Sequence, residues 1–279
     1  MAGRLTRRVR LRRFVADPGS ETGPIEREDA LAVEEPLEIR VNGTAFSVTM
    51  RSPGDDFDLV AGFLVSEGVI WSAEQLVSMR FCAGTDEAGL QTFNVVDAEL
   101  SADTAPPDLS LERHVYTSSS CGICGTASIE AVHKSAHFGR LDDETTYTAA
   151  VLASLPDRLR EQQRVFDRTG GVHAAGLFNA AGELLCLRED VGRHNAVDKV
   201  VGWALRERRL PLTGTVLQVS GRASFELVQK AHLAGVSVLA AVSAPSSLAV
   251  DHAESAGLTL IGFSRGGAFN AYAGTHRIT

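Results

Sequence analysis

Apolar residues in the C-terminal half of the chain fall into two alternating patterns. In NAVDKVVGWALRER, Val197, Val200, Val201, Ala204 and Leu205 recur at three- and four-residue spacing and mark one face of a helix. Short continuous apolar runs accompany such stretches. TVLQVS, VSVLAAVS and TLIGF read as strands, with SFELVQKAHLAG and SLAVDHAESAG as the helices between them. Upstream, GVHAAGLF and ELLCLRED are two further strand-like runs joined by NAAG, and a Leu-rich helical segment precedes them up to about Asp167. Strands of continuous apolar character separated by helices predict a buried, largely parallel sheet.

The first half follows a different grammar. EPLEIRVNGTAFSVTMR predicts two short strands around Asn42-Gly43, the strongest local hairpin cue. DDFDLVAGFLVSEGVI then predicts a helix, with acids in its first turn and Gly68 near its end. LVSMRFCA and LQTFNVVDAEL add strand-like runs before SADTAPPDLSLER, with its two prolines, breaks the pattern. A further helix is expected from about Ala127 to His137. The class is therefore α/β, with an N-terminal α+β domain over 31–115, a mobile loop and helix over 116–137, and an α/β domain over 138–279 without internal repeats.

At 279 residues, 44% apolar and 22% charged, the chain describes a soluble globular protein able to bury real cores. No run of eighteen uncharged apolar residues occurs, and MAGRLTRRVRLRR leads into FVADPGSETG without the apolar stretch of a signal peptide. The chain reads as cytoplasmic, with no membrane partner. Its net charge of −8 divides into +6 from Arg4, Arg7, Arg8, Arg10, Arg12 and Arg13 and −14 from the remainder. Residues 1–30 are expected to be a basic, solvated and disordered tail. The acidic remainder repels nucleic acid, and no nucleic-acid partner is expected, although the tail's charge also suits an acidic partner or RNA.

In open α/β sheets ligands sit beyond the carboxyl ends of the strands. The connections expected there read EDVGRHN, SGRAS, SAPSS and FSRGG. Gly and Ser let backbone N–H groups approach a ligand, three of the four lead into a helix N-terminus, and Arg193, His194, Arg222 and Arg265 add positive charge. Taken together they suit a phosphorylated or nucleotide-like anion. Taken singly, each also fits ordinary capping and turn chemistry.

Four cysteines occur, Cys82, Cys121, Cys124 and Cys186, and a cytoplasmic chain keeps them reduced. The close pair lies in SSSCGICGTAS. One Cys-x-x-Cys supplies two metal ligands where a structural zinc needs four. His133 and His137 complete a set on paper, but at a spacing that departs from common zinc-finger patterns, and no resident metal is expected. Thiol chemistry fits better, because a Ser/Gly loop at a helix start exposes a thiol and lowers its pKa. Two buried structural cysteines are the remaining alternative. Cys82 and Cys186, inside apolar runs, read as core residues.

CGICG, TGGVHAAGLF, EDVGRHNAVDKVVG, SGRASFELVQKA, SAPSSLAV and LTLIGFSRGGAFN together resemble the formate dehydrogenase accessory sulfurtransferases, the FdhD/NarQ family. The resemblance runs from roughly residue 35 to the C-terminus and leaves the basic tail outside. It implies a sulfur carrier with a cysteine persulfide intermediate. Such a protein takes sulfur from a cysteine desulfurase and delivers it to the bis-molybdopterin guanine dinucleotide of formate dehydrogenase, bound as the substrate for sulfuration. By motif match Cys121 is the persulfide carrier and Cys124 an accessory or relay residue. The cofactor-binding stretch falls on Phe263, Ser264, Arg265, Gly266, Gly267 and Ala268, with Arg193, His194 and Arg222 as an extension. A homodimer and a cytidine deaminase-like three-layer α/β/α second domain are also implied. The alternative is a molybdenum-cofactor chaperone without covalent sulfur transfer.

That second-domain likeness raises deamination as a rival. A zinc deaminase needs His-x-Glu followed by Pro-Cys-x-x-Cys. The corresponding positions read His173-Ala174-Ala175 and Ser220-Gly221-Arg222-Ala223-Ser224, without the glutamate or either cysteine. Deamination is rejected, and His173 is left as a structural or pocket residue.

Overall fold

Residues Thr6–Arg13 (β1) and Ile25–Ala32 (β2) pair antiparallel in a two-stranded ribbon, where a disordered tail was expected. Arg10 and Arg12 of β1 stand opposite Glu28 and Glu26 of β2, and Arg12 Nη2 lies 3.3 Å from Glu26 Oε1. The computed structural model describes residues 5–15, 24–82, 84, 92–107 and 136–279.

Glu35–Val41 (β3) and Thr44–Arg51 (β4) form the predicted hairpin. Asn42 and Gly43 have φ of 49° and 80°, the positive pair of a type I′ turn. Asp56–Ser66 (α1) follows and ends in a Schellman motif at Gly68, whose N–H donates to Val65 O at 2.9 Å while that of Val69 reaches Leu64 O. Leu76–Phe81 (β5) and Val95–Leu100 (β6) complete a four-stranded sheet of order β4-β3-β6-β5.

The second half opens with the helices Ala149–Glu161 (α2) and Arg164–Thr169 (α3), then the hairpin His173–Asn179 (β7) and Leu184–Asp190 (β8). Arg193–Arg206 (α4), Thr215–Val219 (β9), Phe225–Leu233 (α5), Val238–Ala241 (β10), Ser247–Ala256 (α6), Thr259–Arg265 (β11) and Ala268–Ala273 (β12) follow. The six strands lie in the order β12-β11-β10-β9-β7-β8. Only the neighbours β9, β10 and β11 pair in parallel; β7 runs antiparallel to both its neighbours and β12 is antiparallel to β11. The sheet is therefore mixed, not largely parallel. Two hairpins flank a parallel centre, and β12 is a strand the apolar pattern does not announce. Of the helix expected over Ala127–His137, Ala136 and His137 at its end are not helical, and the rest lies outside the described residues.

Leu152, Leu155 and Leu159 of α2 cover one face of this sheet with Phe178, Val216 and Ile261. On the other face, one continuous core joins α4, α5 and α6 to α1 and the smaller sheet, so the two expected domains share it. The seam is the crossing of α1 and α4, where backbones touch. A Cβ at Gly62 would lie 1.8 Å from Asp198 O, and one at Gly202 1.8 Å from Asp58 O. No side chain larger than hydrogen fits at either position.

Candidate functional site

β8, β9, β10 and β11 run in one direction, so the segments Val191–His194, Ser220–Ser224, Val242–Ser246 and Gly266-Gly267 gather beyond their carboxyl ends. His173, at the start of antiparallel β7, joins them. Backbone bonds lace the loops: Ser243 N–H donates to Gly221 O at 3.3 Å, Phe263 N–H to Ser243 O at 3.2 Å, and Ser246 N–H to Ala223 O at 3.1 Å. The first turns of α4 and α5 are joined by side chains, with His194 Nε2 at 2.7 Å from Glu226 Oε2.

A buried ion pair underlies the first loop. Asp190, fully buried, lies 2.8 Å from Lys199 Nζ through Oδ2, which also accepts from Ser52 N–H at 3.0 Å. Its Oδ1 accepts from Gly192 N–H at 2.8 Å and Asn195 Nδ2 at 3.1 Å. Lys199 Nζ donates in addition to Ser52 O at 2.9 Å. Both ions are thus extensively hydrogen-bonded, the condition under which a buried pair is tolerated. The result fixes the backbone from which Arg193 and His194 project.

Gly221 stands against this loop: a Cβ there would lie 3.7 Å from both Arg193 Cδ and His173 Nδ1. Ser220 Oγ accepts from Ala174 N–H at 2.9 Å and stands 3.5 Å from His173 Nδ1. Burial, and then the charges of Arg193 and His194, hold the His173 pKa below the ordinary histidine value. His173 is therefore a neutral imidazole at pH 7, set among cationic groups.

The fourth connection is a hairpin tip and not a helix start. Gly266 and Gly267 have φ of 59° and 75°, with nothing near where a Cβ would stand, and join β11 to β12 in a two-residue turn. Just before it, Phe263 has φ 51° and the β11–β12 register slips between Gly262 and Arg265. Such a bulge re-aims side chains. Ser264 is fully buried, its Oγ without a hydrogen-bond partner among the described residues. Phe263 and Arg265 are exposed, the guanidinium 5.8 Å from the ring centroid. Arg265 also lines a cleft of about 480 Å³ with His173, Ser220 and Val242, opposite Arg160 of α2 and Phe166 of α3. Glu189 holds α3 in place, its carboxylate accepting from the N–H groups of Val165 and Phe166 at 2.8 Å each.

Arg193, His194, Arg222 and Phe263–Ala268, the anion-binding residues expected from the sequence, all lie on this edge. Cys121 and Cys124 lie outside the described residues. Cys186 is a core residue, its thiol pushed up to about 12 by burial, whereas Cys82 is only half-buried. Among the described residues no group of three His, Cys, Asp or Glu side chains could hold a metal, and no helix is long and apolar enough to cross a membrane. Sequence reasoning did not find Glu226, the Asp190–Lys199 pair or the wall formed by α2 and α3. The charged pair Asp198-Lys199 between Val197 and Val200 reads in the sequence as ordinary exposed helix, and only the fold shows both side chains buried.

Fold and edge together define an α/β protein whose strand-end loops converge in a cationic, glycine-rich rim. The model of the FdhD/NarQ family matches residues 32–279, and the chain belongs to that family. It is similar to the sulfur carrier protein FdhD of Streptomyces avermitilis, 58% identical over 99% of this chain and 96% of that one. It is also similar to the protein of the same name from Sulfurisphaera tokodaii, 43% identical over 93% of this chain and 95% of that one. A crystal structure from Desulfotalea psychrophila, assigned as a formate dehydrogenase accessory protein, aligns with a TM-score of 0.75 and 26% identity over 98% of this chain and 99% of that one.

Proposed function

We propose that this protein is a sulfurtransferase of the cytoplasm that carries sulfur on Cys121 from a cysteine desulfurase to bis-molybdopterin guanine dinucleotide, its substrate, for formate dehydrogenase. The observation that carries this reading is the likeness over nearly the whole chain to proteins named sulfur carriers. The geometry supports its second half. A guanine dinucleotide presents diphosphates, and the cationic side chains of Arg193, His194, Arg222 and Arg265 lie along one edge with the Gly266-Gly267 turn, around which no side chain crowds.

Loading is a redox-neutral substitution. The Cys121 thiolate attacks the outer sulfur of the donor persulfide, the donor S–S bond breaks, and the donor cysteine leaves as a thiolate. Release as sulfide takes two electrons. Attack of the Cys124 thiolate on the Cys121 sulfur supplies them, closing a Cys121–Cys124 disulfide as hydrosulfide leaves. SSSCGICG, with small residues around both thiols, suits a group that must reach two partners in turn.

Intact-mass spectrometry after incubation with a cysteine desulfurase and cysteine tests the proposal. A gain of one sulfur that disappears in Cys121→Ala is expected. Loading that persists in Cys121→Ala removes the assigned role. Absence of loading in the native chain, with guanine dinucleotide binding intact, favours a chaperone that holds the cofactor without transferring sulfur.

A further inference from the structure

Anion binding accounts for only one side of the cleft between the strand-end rim and the helices α2 and α3. The cleft's volume, about 480 Å³, lies within the roughly 300–1,000 Å³ of small-molecule sites. Arg265 belongs to both places, since it closes the bulge of β11 and also lines the cleft. The far wall has a different chemistry. It carries Asp157 and Arg160 of α2, Gln163 at the junction of the two helices, and Phe166 of α3.

No contact within the fold uses the Gln163 side chain. Its backbone is committed, the N–H donating to Arg160 O at 3.3 Å and the carbonyl accepting from Asp167 N–H at 3.0 Å. The residue is only 4% exposed, yet its amide makes no cap bond to α3 and no other hydrogen bond among the described residues. A buried amide without a partner is costly, and a ligand in the cleft supplies one. Asp157 is exposed and has no ion pair among the described residues.

Shape and charge indicate what enters. Arg160 stands over the Phe166 ring, its guanidinium carbon 4.8 Å from the ring centroid, and Asp167 Oδ1 accepts from its Nη1 at 2.6 Å. The two groups offer flat faces on which a ring stacks. The Asp157 carboxylate repels a phosphate, which is better placed on the rim with Arg265. What fits the far wall is therefore a flat, uncharged ring. A carboxylate accepts hydrogen bonds only, whereas an amide also donates them. Together they match an edge on which N–H and NH2 donors stand beside a carbonyl, the edge of a 2-amino-4-oxopyrimidine ring. Guanine and pterin both carry that edge. Adenine does not, having an acceptor nitrogen where guanine has its ring N–H.

We propose that the cleft holds a 2-amino-4-oxopyrimidine ring, with Asp157 accepting from its N–H and NH2 donors, the Gln163 amide donating to its carbonyl, and Arg265 taking the phosphate beyond it. The inference rests on the sulfur-carrier reading only for the source of the ring, which a molybdopterin guanine dinucleotide offers both as base and as pterin.

Calorimetric titration of the full chain tests it. A charge-assisted contact to the edge should make GDP bind at least about tenfold more tightly than ADP. Asp157→Ala and Gln163→Met should each remove most of that preference while leaving ADP binding, carried by the rim, unchanged. Both variants should keep the native unfolding midpoint, because neither side chain bonds within the fold. Displacement of GDP by guanosine assigns the ring as guanine and displacement by pterin assigns it as pterin; either supports the pocket. Equal affinity for GDP and ADP overturns the proposal, as does a preference that survives in both variants. Persulfide loading is read separately. A chain that prefers GDP yet gains no sulfur counts against the carrier reading alone, and one that gains sulfur without discriminating the bases counts against the pocket alone.

Discussion

The loop edge of the large sheet and the N-terminal ribbon are both rich in charge, yet charge plays opposite parts in them. Under the edge, Asp190 and Lys199 are 0% and 1% exposed in their side chains and bonded to Ser52, Gly192 and Asn195. In the ribbon, Arg12 and Glu26 are 67% and 75% exposed and Arg8 and Glu28 lie 3.8 Å apart in solvent. The buried pair cannot lose one member without stranding the other, whereas water replaces either member of an exposed pair. Ion pairs therefore fix a loop only where solvent is excluded.

The substitution that breaks this contrast most sharply is Lys199→Met, which leaves the Asp190 carboxylate buried without its cation. Breaking a buried pair costs about 3–5 kcal/mol, and denaturant unfolding should show a loss on that scale. Lys199→Met combined with Asp190→Asn removes the stranded charge and should recover part of it. A loss below about 1 kcal/mol for the single variant would mean the pair behaves like an exposed one.

Next in size is Gly202→Ala. The edge depends on α4 because Arg193 and His194 are in its first turn, and α4 is seated by the bare-backbone crossing with α1. An added methyl meets Asp58 O and must push the helices apart, at a cost of about 1–3 kcal/mol. The lower unfolding midpoint should be accompanied by weaker binding of a guanine nucleotide. The same residue type at Gly266 has open space around it, and there only the positive φ of 59° opposes a side chain.

What the sequence disclosed follows the range of the interactions. Asn42-Gly43 and Gly68 act within a few residues, and both features stand where expected. The loops with Gly, Ser and Arg were legible for the same reason, as strand ends leading into helix starts. The Gly62–Gly202 contact joins residues 140 apart, and neither glycine differs in its local sequence from an ordinary helical one. Strand direction was hidden likewise: β7 is antiparallel to β9 through pairing that the run HAAGLFN does not encode. AFNAYA, β12, is short and largely exposed or half-buried, so it lacks the apolar run that marks a central strand. The ribbon was read as disorder because the alternation in TRRVRLRR is of Arg with Val and Leu, and its acidic partner strand begins twelve residues later.

A smaller effect sharpens the comparison through protonation. Burial first, and then Arg193 and His194, lower the His173 pKa. The unfolded chain therefore binds this proton more readily than the fold does. The contribution of neutral His173 to stability is whole above the ordinary value of about 6.5 and is lost as pH falls through that value towards the lowered one. An NMR titration of the His173 ring should give a midpoint below the ordinary value. Arg193→Ala should raise it part of the way back, because burial, the larger cause, stays. A midpoint unmoved by Arg193→Ala would show that the charges of the edge are screened from one another as those of the ribbon are.

The smallest effect belongs to the ribbon. Arg12→Ala removes both contacts to Glu26, at 3.3 and 3.4 Å, yet should change the stability of the chain by no more than about 0.5 kcal/mol. Exposed ion pairs gain little because water already solvates each partner and ordering two long side chains offsets what remains. Denaturant unfolding of this variant checks it. A stability loss above about 1 kcal/mol would show that cross-strand pairing holds the ribbon by itself. An unchanged midpoint leaves the β1–β2 backbone ladder and its apolar side chains as the cause of its order.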